Sequence, residues 1–210
     1  QYRGSLKSCN YACSYCPFAK RPGSRQELEK DEAALRRLVL GLSERASVFK
    51  EKLGILIAPY GEALIHSYYW KEMAALSRLF FVEAVGAQTN LSFQPERCLE
   101  HYEKEGGELR KLRIWATFHP EIEQPQAFAE KCRYLSERGA RFSVGAVGNP
   151  AAIADIRKLA DLLPEDIYLW INRMDGLGHP CTREEKKGFL ELDPWFFREF
   201  FWPKADASLC

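Results

Sequence analysis

The sequence has no apolar run long enough to cross a bilayer. No apolar segment follows Gln1-Tyr2-Arg3-Gly4-Ser5, as a secretory leader would require. Charge of one sign is also missing: 30 Lys and Arg stand against 29 Asp and Glu, which gives no electrostatic ground for a nucleic acid or an anionic membrane as partner. Seven cysteines, odd in number and unevenly spread, do not make a disulfide framework. No internal repeat, low-complexity tract or Gly/Ser linker divides the chain. These absences lead us to expect a cytoplasmic protein without a membrane or nucleic-acid partner. In a reducing compartment its clustered thiols read as metal ligands and its scattered ones as small core hydrophobes. Position 1 is Gln rather than Met, so a trimmed or partial chain is expected.

What is present is a chain of 210 residues, 46% of them apolar, enough for one large domain with a sizeable core. Short β-prone runs at residues 2–6, 53–58, 81–87, 112–117, 141–147 and 167–171 alternate with helical patterns at 27–44, 69–78, 95–105, 125–138 and 151–163. In the 125–138 segment Phe128, Lys131, Tyr134, Leu135 and Arg138 share one sector, Pro125 suits the first turn and Gly139 suits the C-cap. Strand–helix units in series imply a parallel sheet with right-handed crossovers. An open doubly wound sheet and a barrel both remain, and six units are too few for a complete eightfold barrel. The domain reading is a core over residues 1–180 and a helical, aromatic extension over 181–210, cut short at its end. Within that extension DPWFFREFFWP has six aromatic residues in eleven. It reads either as a short helix packed over one end of the core or as a docking surface.

Cys9, Cys13 and Cys16 form a CxxxCxxC run in the loop after the first predicted strand. Three thiolates on so short a loop can converge on one inorganic centre, and three ligands leave one iron of a 4Fe–4S cube open to a substrate or cofactor. A structural zinc site would want a fourth ligand at finger spacing, and none follows. Zinc and inert core thiols stay open as alternatives.

This spacing, with Tyr15 just before the last cysteine, resembles the signature of the radical S-adenosylmethionine (SAM) superfamily. The resemblance covers roughly residues 2–173, and the stretch YRGSLKSCNYACSYCPFAKR looks like an uncharacterised bacterial branch. It implies a partial (β/α)6 barrel of parallel strands, a 4Fe–4S cluster on Cys9, Cys13 and Cys16, and S-adenosyl-L-methionine as cofactor. It further implies reductive cleavage of that cofactor to a 5′-deoxyadenosyl radical that abstracts hydrogen from an unidentified small-molecule or peptide substrate. An electron donor such as flavodoxin or ferredoxin is implied as partner.

The resemblance also assigns the strand-end residues of the presumed barrel mouth. Gly61 and Glu62 look like the family's Gly-Gly-Glu element for the SAM amino group, with Tyr60 in place of the first glycine; an exposed turn glutamate is the other reading. Asn90 lies near the cofactor or caps a turn, Thr117 meets the ribose, Gly145 admits the adenosyl group or turns the chain, and Asn172 faces adenine. Tyr15 would screen the cluster from water. His119 would contact substrate or donate a proton, or else be a hydrogen-bonded structural histidine. Cys181 would be a substrate-facing thiol or a packing residue. Arg173, Asp175 and the terminal Cys210 are further candidates. A non-catalytic iron–sulfur or zinc module with the same fold is the main alternative, and an RNA-modifying relative is a lesser one.

Overall fold

The computed structural model describes residues 1–18, 20–174 and 180–200. One sheet holds β1 (Leu53–Ile57), β2 (Val82–Thr89), β3 (Leu112–Phe118), β4 (Arg141–Gly148) and β5 (Leu169–Arg173), in the order β1-β2-β3-β4-β5 and parallel throughout. Helix α1 (Arg25–Glu44) precedes β1. Helices α2 (Ser67–Ser77), α3 (Pro95–Lys104), α4 (Pro125–Glu137) and α5 (Ile153–Leu162) alternate with the strands, and α6 (Arg183–Leu192) follows β5.

The strand order decides between the two architectures. A doubly wound sheet reverses its strand order so that helices cover both faces. Here the order never reverses, so successive right-handed crossovers put the helices on one side and leave the other to line a partial barrel. Strand β3 shows the division. Leu112, Ile114, Ala116 and Phe118 are buried, and Phe118 meets Phe128 of α4 with ring centroids 5.3 Å apart. The residues between them, Trp115 and Thr117, line an inner cavity.

The strand predicted over residues 2–6 is reduced to one parallel bridge, Tyr2 beside Ile57. The Tyr2 amide donates to the Leu56 carbonyl at 2.8 Å, and the Ala58 amide donates to the Tyr2 carbonyl at 2.9 Å. Gly4 then takes φ +64°, which ends the extended run. The Ser5 amide and hydroxyl both turn to Asp31 Oδ1 of α1, each at 3.0 Å. A buried carboxylate thus replaces the ladder bonds that a sixth strand would make.

Helix α6 falls within the extension expected to be helical, where no helix bounds were assigned, and its start carries a signal. Thr182 accepts from the Glu185 amide at 3.2 Å and Glu185 accepts from the Thr182 amide at 2.7 Å, a reciprocal cap. Beyond α6, Phe196 packs on Phe189 within the core, with ring centroids 4.9 Å apart. Asp193, also buried, accepts from the Ile171 amide at 2.7 Å, from the Trp195 amide at 2.8 Å and from the Tyr168 hydroxyl. Glu199 accepts from the Arg173 amide at 3.1 Å. Ile171 and Arg173 are the alternate positions whose N–H groups face outward on β5, so these carboxylates cap the free edge. The last aromatic residues and Cys210 lie outside the described residues, as does Asp175. Among the described residues no helix is long and apolar enough to cross a membrane.

Candidate active site

The cysteine loop lies across the ends of the strands because three neighbouring segments hold it there. The first is the turn after β1. Glu62 N–H donates to the Ser8 carbonyl at 2.8 Å. A Cβ on Gly61 would fall 2.1 Å from that same Ser8 oxygen. Only glycine lets the two backbones meet so closely. The close approach that Gly61 permits is therefore to the cysteine loop itself.

The second is the segment after β3. Glu121 accepts from the Ser14 amide at 2.8 Å and from its hydroxyl at 2.5 Å. Glu123 accepts from the Tyr11 hydroxyl at 2.9 Å and from Lys131 at 3.1 Å. His119 Nδ1 lies 3.4 Å from Cys13 Sγ and shares a hydrogen bond of 2.9 Å with the Tyr15 hydroxyl, and the two rings stack. Neither glutamate was singled out from the sequence. Their spacing from His119 and Phe118, the last residue of β3, was the available signal. The third segment follows β2, where the Asn90 side-chain amide donates to the Asn10 side-chain oxygen at 3.1 Å.

A cavity of about 300 Å³ opens beneath this loop. Cys9, Cys13 and Cys16 all line it. So do Gly61 and Glu62 after β1, Asn90 after β2, Thr117 and His119 at the end of β3, and Asn172 on β5. Tyr15, Gly145 and Cys181 are not on its wall. Tyr15 stands beside His119 and Cys13. The space that Gly145 leaves is taken by Trp170, whose indole a Cβ would meet at 2.5 Å. Cys181 is buried in the core cluster just before α6. The structure adds two walls that the sequence reading passed over, Trp115 and Trp170, which meet edge to face at 5.0 Å. Strand alternation from Thr117 and Asn172 would have found both.

The electrostatics follow from burial. Desolvation pushes the Cys13 thiol up to about 11 and also raises Cys9, against the backbone N–H of Tyr11 that favours its thiolate. Desolvation pushes His119 down to about 4, with Glu121 opposing, so its imidazole is neutral at pH 7. Glu62 is raised to about 7 by burial, in spite of three donors: the Asn90 amide at 2.6 Å, the Thr89 hydroxyl at 2.8 Å and the Leu64 amide at 2.9 Å. Two of these bonds fall on Oε1 and one on Oε2, so Oε2 keeps a free lone pair.

Among the described residues no three His, Cys, Asp or Glu side chains converge to hold a single ion. A lone zinc needs its sulfurs about 2.3 Å from one point. An iron–sulfur cube offers separate iron corners to separate thiolates, which suits three thiols spread around one cavity wall.

No protein-family profile matches the chain. No curated protein matches it in sequence. Solved structures do match. One is native anSMEcpe with bound AdoMet, at TM-score 0.56 and 13% identity over 95% of this chain. Another is a histidine-tagged form of anSMEcpe with bound AdoMet, at TM-score 0.55 and 12% identity over the same share. That protein is an anaerobic sulfatase-maturating enzyme of the radical SAM type. The chain spans 60% and 58% of the length of these two structures. The likeness establishes the fold: five parallel strands and their helices form a partial barrel of the radical SAM kind.

Proposed function

We propose that this chain is the core of a radical SAM enzyme, with a 4Fe–4S cluster on Cys9, Cys13 and Cys16 and S-adenosylmethionine in the cavity beside them. The observation that carries this reading is the single cavity onto which all three thiols and polar strand-end residues open. The thiols suit such a group. Removed from water, a thiolate needs nearby positive charge, which ligated iron supplies. Bound there, the two cofactors supply one-electron cleavage of a carbon–sulfur bond and a 5′-deoxyadenosyl radical for hydrogen abstraction.

The chain's own groups bind, orient and exclude water. Glu62 offers the free lone pair of Oε2 to an ammonium group while its other bonds hold the Thr89–Asn90 turn in place. The Thr117 hydroxyl and the Asn172 amide present polar contacts to a nucleoside. Trp115 and Trp170 form an apolar wall that limits water. His119, uncharged, sets the Cys13 sulfur and the Tyr15 hydroxyl in position from the cavity wall. The substrate is a small molecule or peptide, and a protein such as flavodoxin or ferredoxin delivers the electron in the cytoplasm.

The test is anaerobic reconstitution with iron and sulfide, followed by S-adenosylmethionine and dithionite. Wild-type protein is expected to turn brown and release 5′-deoxyadenosine, and Cys13→Ala to lose both properties. Colourless, iron-free wild-type protein, or a cofactor recovered intact, would end the proposal.

A further inference from the structure

The near-neutral charge of the whole chain conceals a segregation. Residues 1–26 contain five cations, Arg3, Lys7, Lys20, Arg21 and Arg25, and no Asp or Glu. Residues 27–210 therefore hold 25 cations against 29 acids, from totals of 30 and 29, a net charge of −4. The cations bracket the cysteine loop on both sides.

Three of them line a second cavity of about 410 Å³ together with Pro17, Phe18 and Tyr60. That volume lies within the usual range for small-molecule sites, roughly 300–1,000 Å³. No acidic residue lines it. Glu27 neutralises Arg21 through bonds of 2.8 and 3.2 Å. Lys20 spends one proton on the Ser14 carbonyl at 3.0 Å and feels the Glu121 carboxylate on the far side of Ser14, without pairing with it directly. Lys7 makes no ion pair among the described residues. Arg3 adds a further cation without an ion pair among the described residues, over the Tyr60 ring and 5.3 Å from its centroid. Like charges gathered around one concavity repel unless an anion joins them.

The aromatic pair connects this cavity to the first. Phe18 and Tyr60 line both, with ring centroids 5.1 Å apart, and are 55% and 36% exposed. They form a common wall. A ligand lying across it places its anionic end at Lys7 and Lys20 and its apolar part over the rings, toward the cysteine-lined cavity. The cations ring one concavity and do not extend as a stripe, which fits a single anionic group better than a polyanionic backbone.

We infer that the second cavity is the subsite for an anionic group, phosphate or carboxylate, of the substrate, a reading that rests on the radical SAM assignment for what lies on the other side of the wall. Calorimetric titration of reconstituted protein with inorganic phosphate, and separately with acetate, at low ionic strength tests it. Binding of at least one probe is expected, and the tighter probe identifies the group. Lys7→Gln combined with Lys20→Gln is expected to weaken it at least tenfold, with S-adenosylmethionine affinity and iron content unchanged. Lys20 also touches the cysteine loop, so Lys7→Gln alone, expected to weaken binding severalfold, guards against a folding effect. Absence of binding by both probes, equal binding by the Lys7→Gln variants, or tighter retention of a single-stranded RNA than of either probe would overturn the inference. Loss of cluster assembly in the wild type would instead count against the radical assignment, which keeps the two failures distinct.

Discussion

At the β5 edge and at the cysteine loop the chain meets the same need, backbone N–H groups without a ladder partner, and meets it with carboxylates in opposite settings. Asp193 is buried and caps Ile171, and its backbone is hydrogen-bonded to Phe189 and Phe196, which pack on each other. Glu121 is exposed and caps Ser14 at the rim of the cavity. A hydrogen bond to a charged group strengthens as water leaves, so the β5 tie is strong and permanent. The loop ties are numerous and lie at the rim of the cavity, where water reaches them. Glu62 stands between the two cases: buried like Asp193, but at the cavity like Glu121.

The comparison breaks first at Asp193. Replacing it with Ala leaves the buried Ile171 amide unsatisfied and is expected to cost about 3 kcal/mol in chemical denaturation, with Asn recovering part of the loss. A loss below about 1 kcal/mol would mean that water reaches the β5 edge and satisfies the Ile171 amide.

Glu62 gives an effect of similar size that depends on pH. Its folded value of about 7 lies above the ordinary 4.5, so between these values the folded chain holds a proton that the unfolded chain has released. The Glu62 contribution is thus fully present below about pH 4.5 and is lost as pH rises through about 7, a change of about 3 kcal/mol. Urea melts of the cofactor-free protein across this window should show that loss relative to Glu62→Gln. Parallel curves for the two proteins would show that the carboxylate is ionised throughout.

The smallest effect is expected at Glu121. Glu121→Gln keeps an acceptor for Ser14 and should change stability by less than about 1 kcal/mol. Hydrogen exchange at the Ser14 amide should nevertheless quicken. Unchanged exchange would assign the loop's order to His119 and Glu123 instead.

The legible parts of this molecule are those that depend on short-range pattern. The periodicity of 125–138 predicted α4, and the β-prone run at 112–117 predicted β3, whose alternation also held the unread signal for Trp115. Helix α6 was legible in part: a helical extension over 181–210 was expected, but the cap at Thr182 and Glu185 that fixes its start was not read. The strand over residues 2–6 was misjudged because β-propensity at Tyr2 does not reveal that Asp31, far along the chain, will capture Ser5. Gly145 shows the same limit of local reading. A glycine advertises space, and only the fold shows that Trp170 fills it.

By itself the sequence determined the alternation of strands and helices and the spacing of three thiols, because both are matters of neighbours within a few residues. It also contained the concentration of positive charge in its first segment. Only the tertiary structure decided that the strands never reverse order, that β5 is sealed by its own tail, and that thiols, carboxylate, histidine and two tryptophans share one cavity. Those arrangements depend on contacts between residues far apart in the chain, and such contacts form only when burial of the core outweighs the entropy of closing the loops between them.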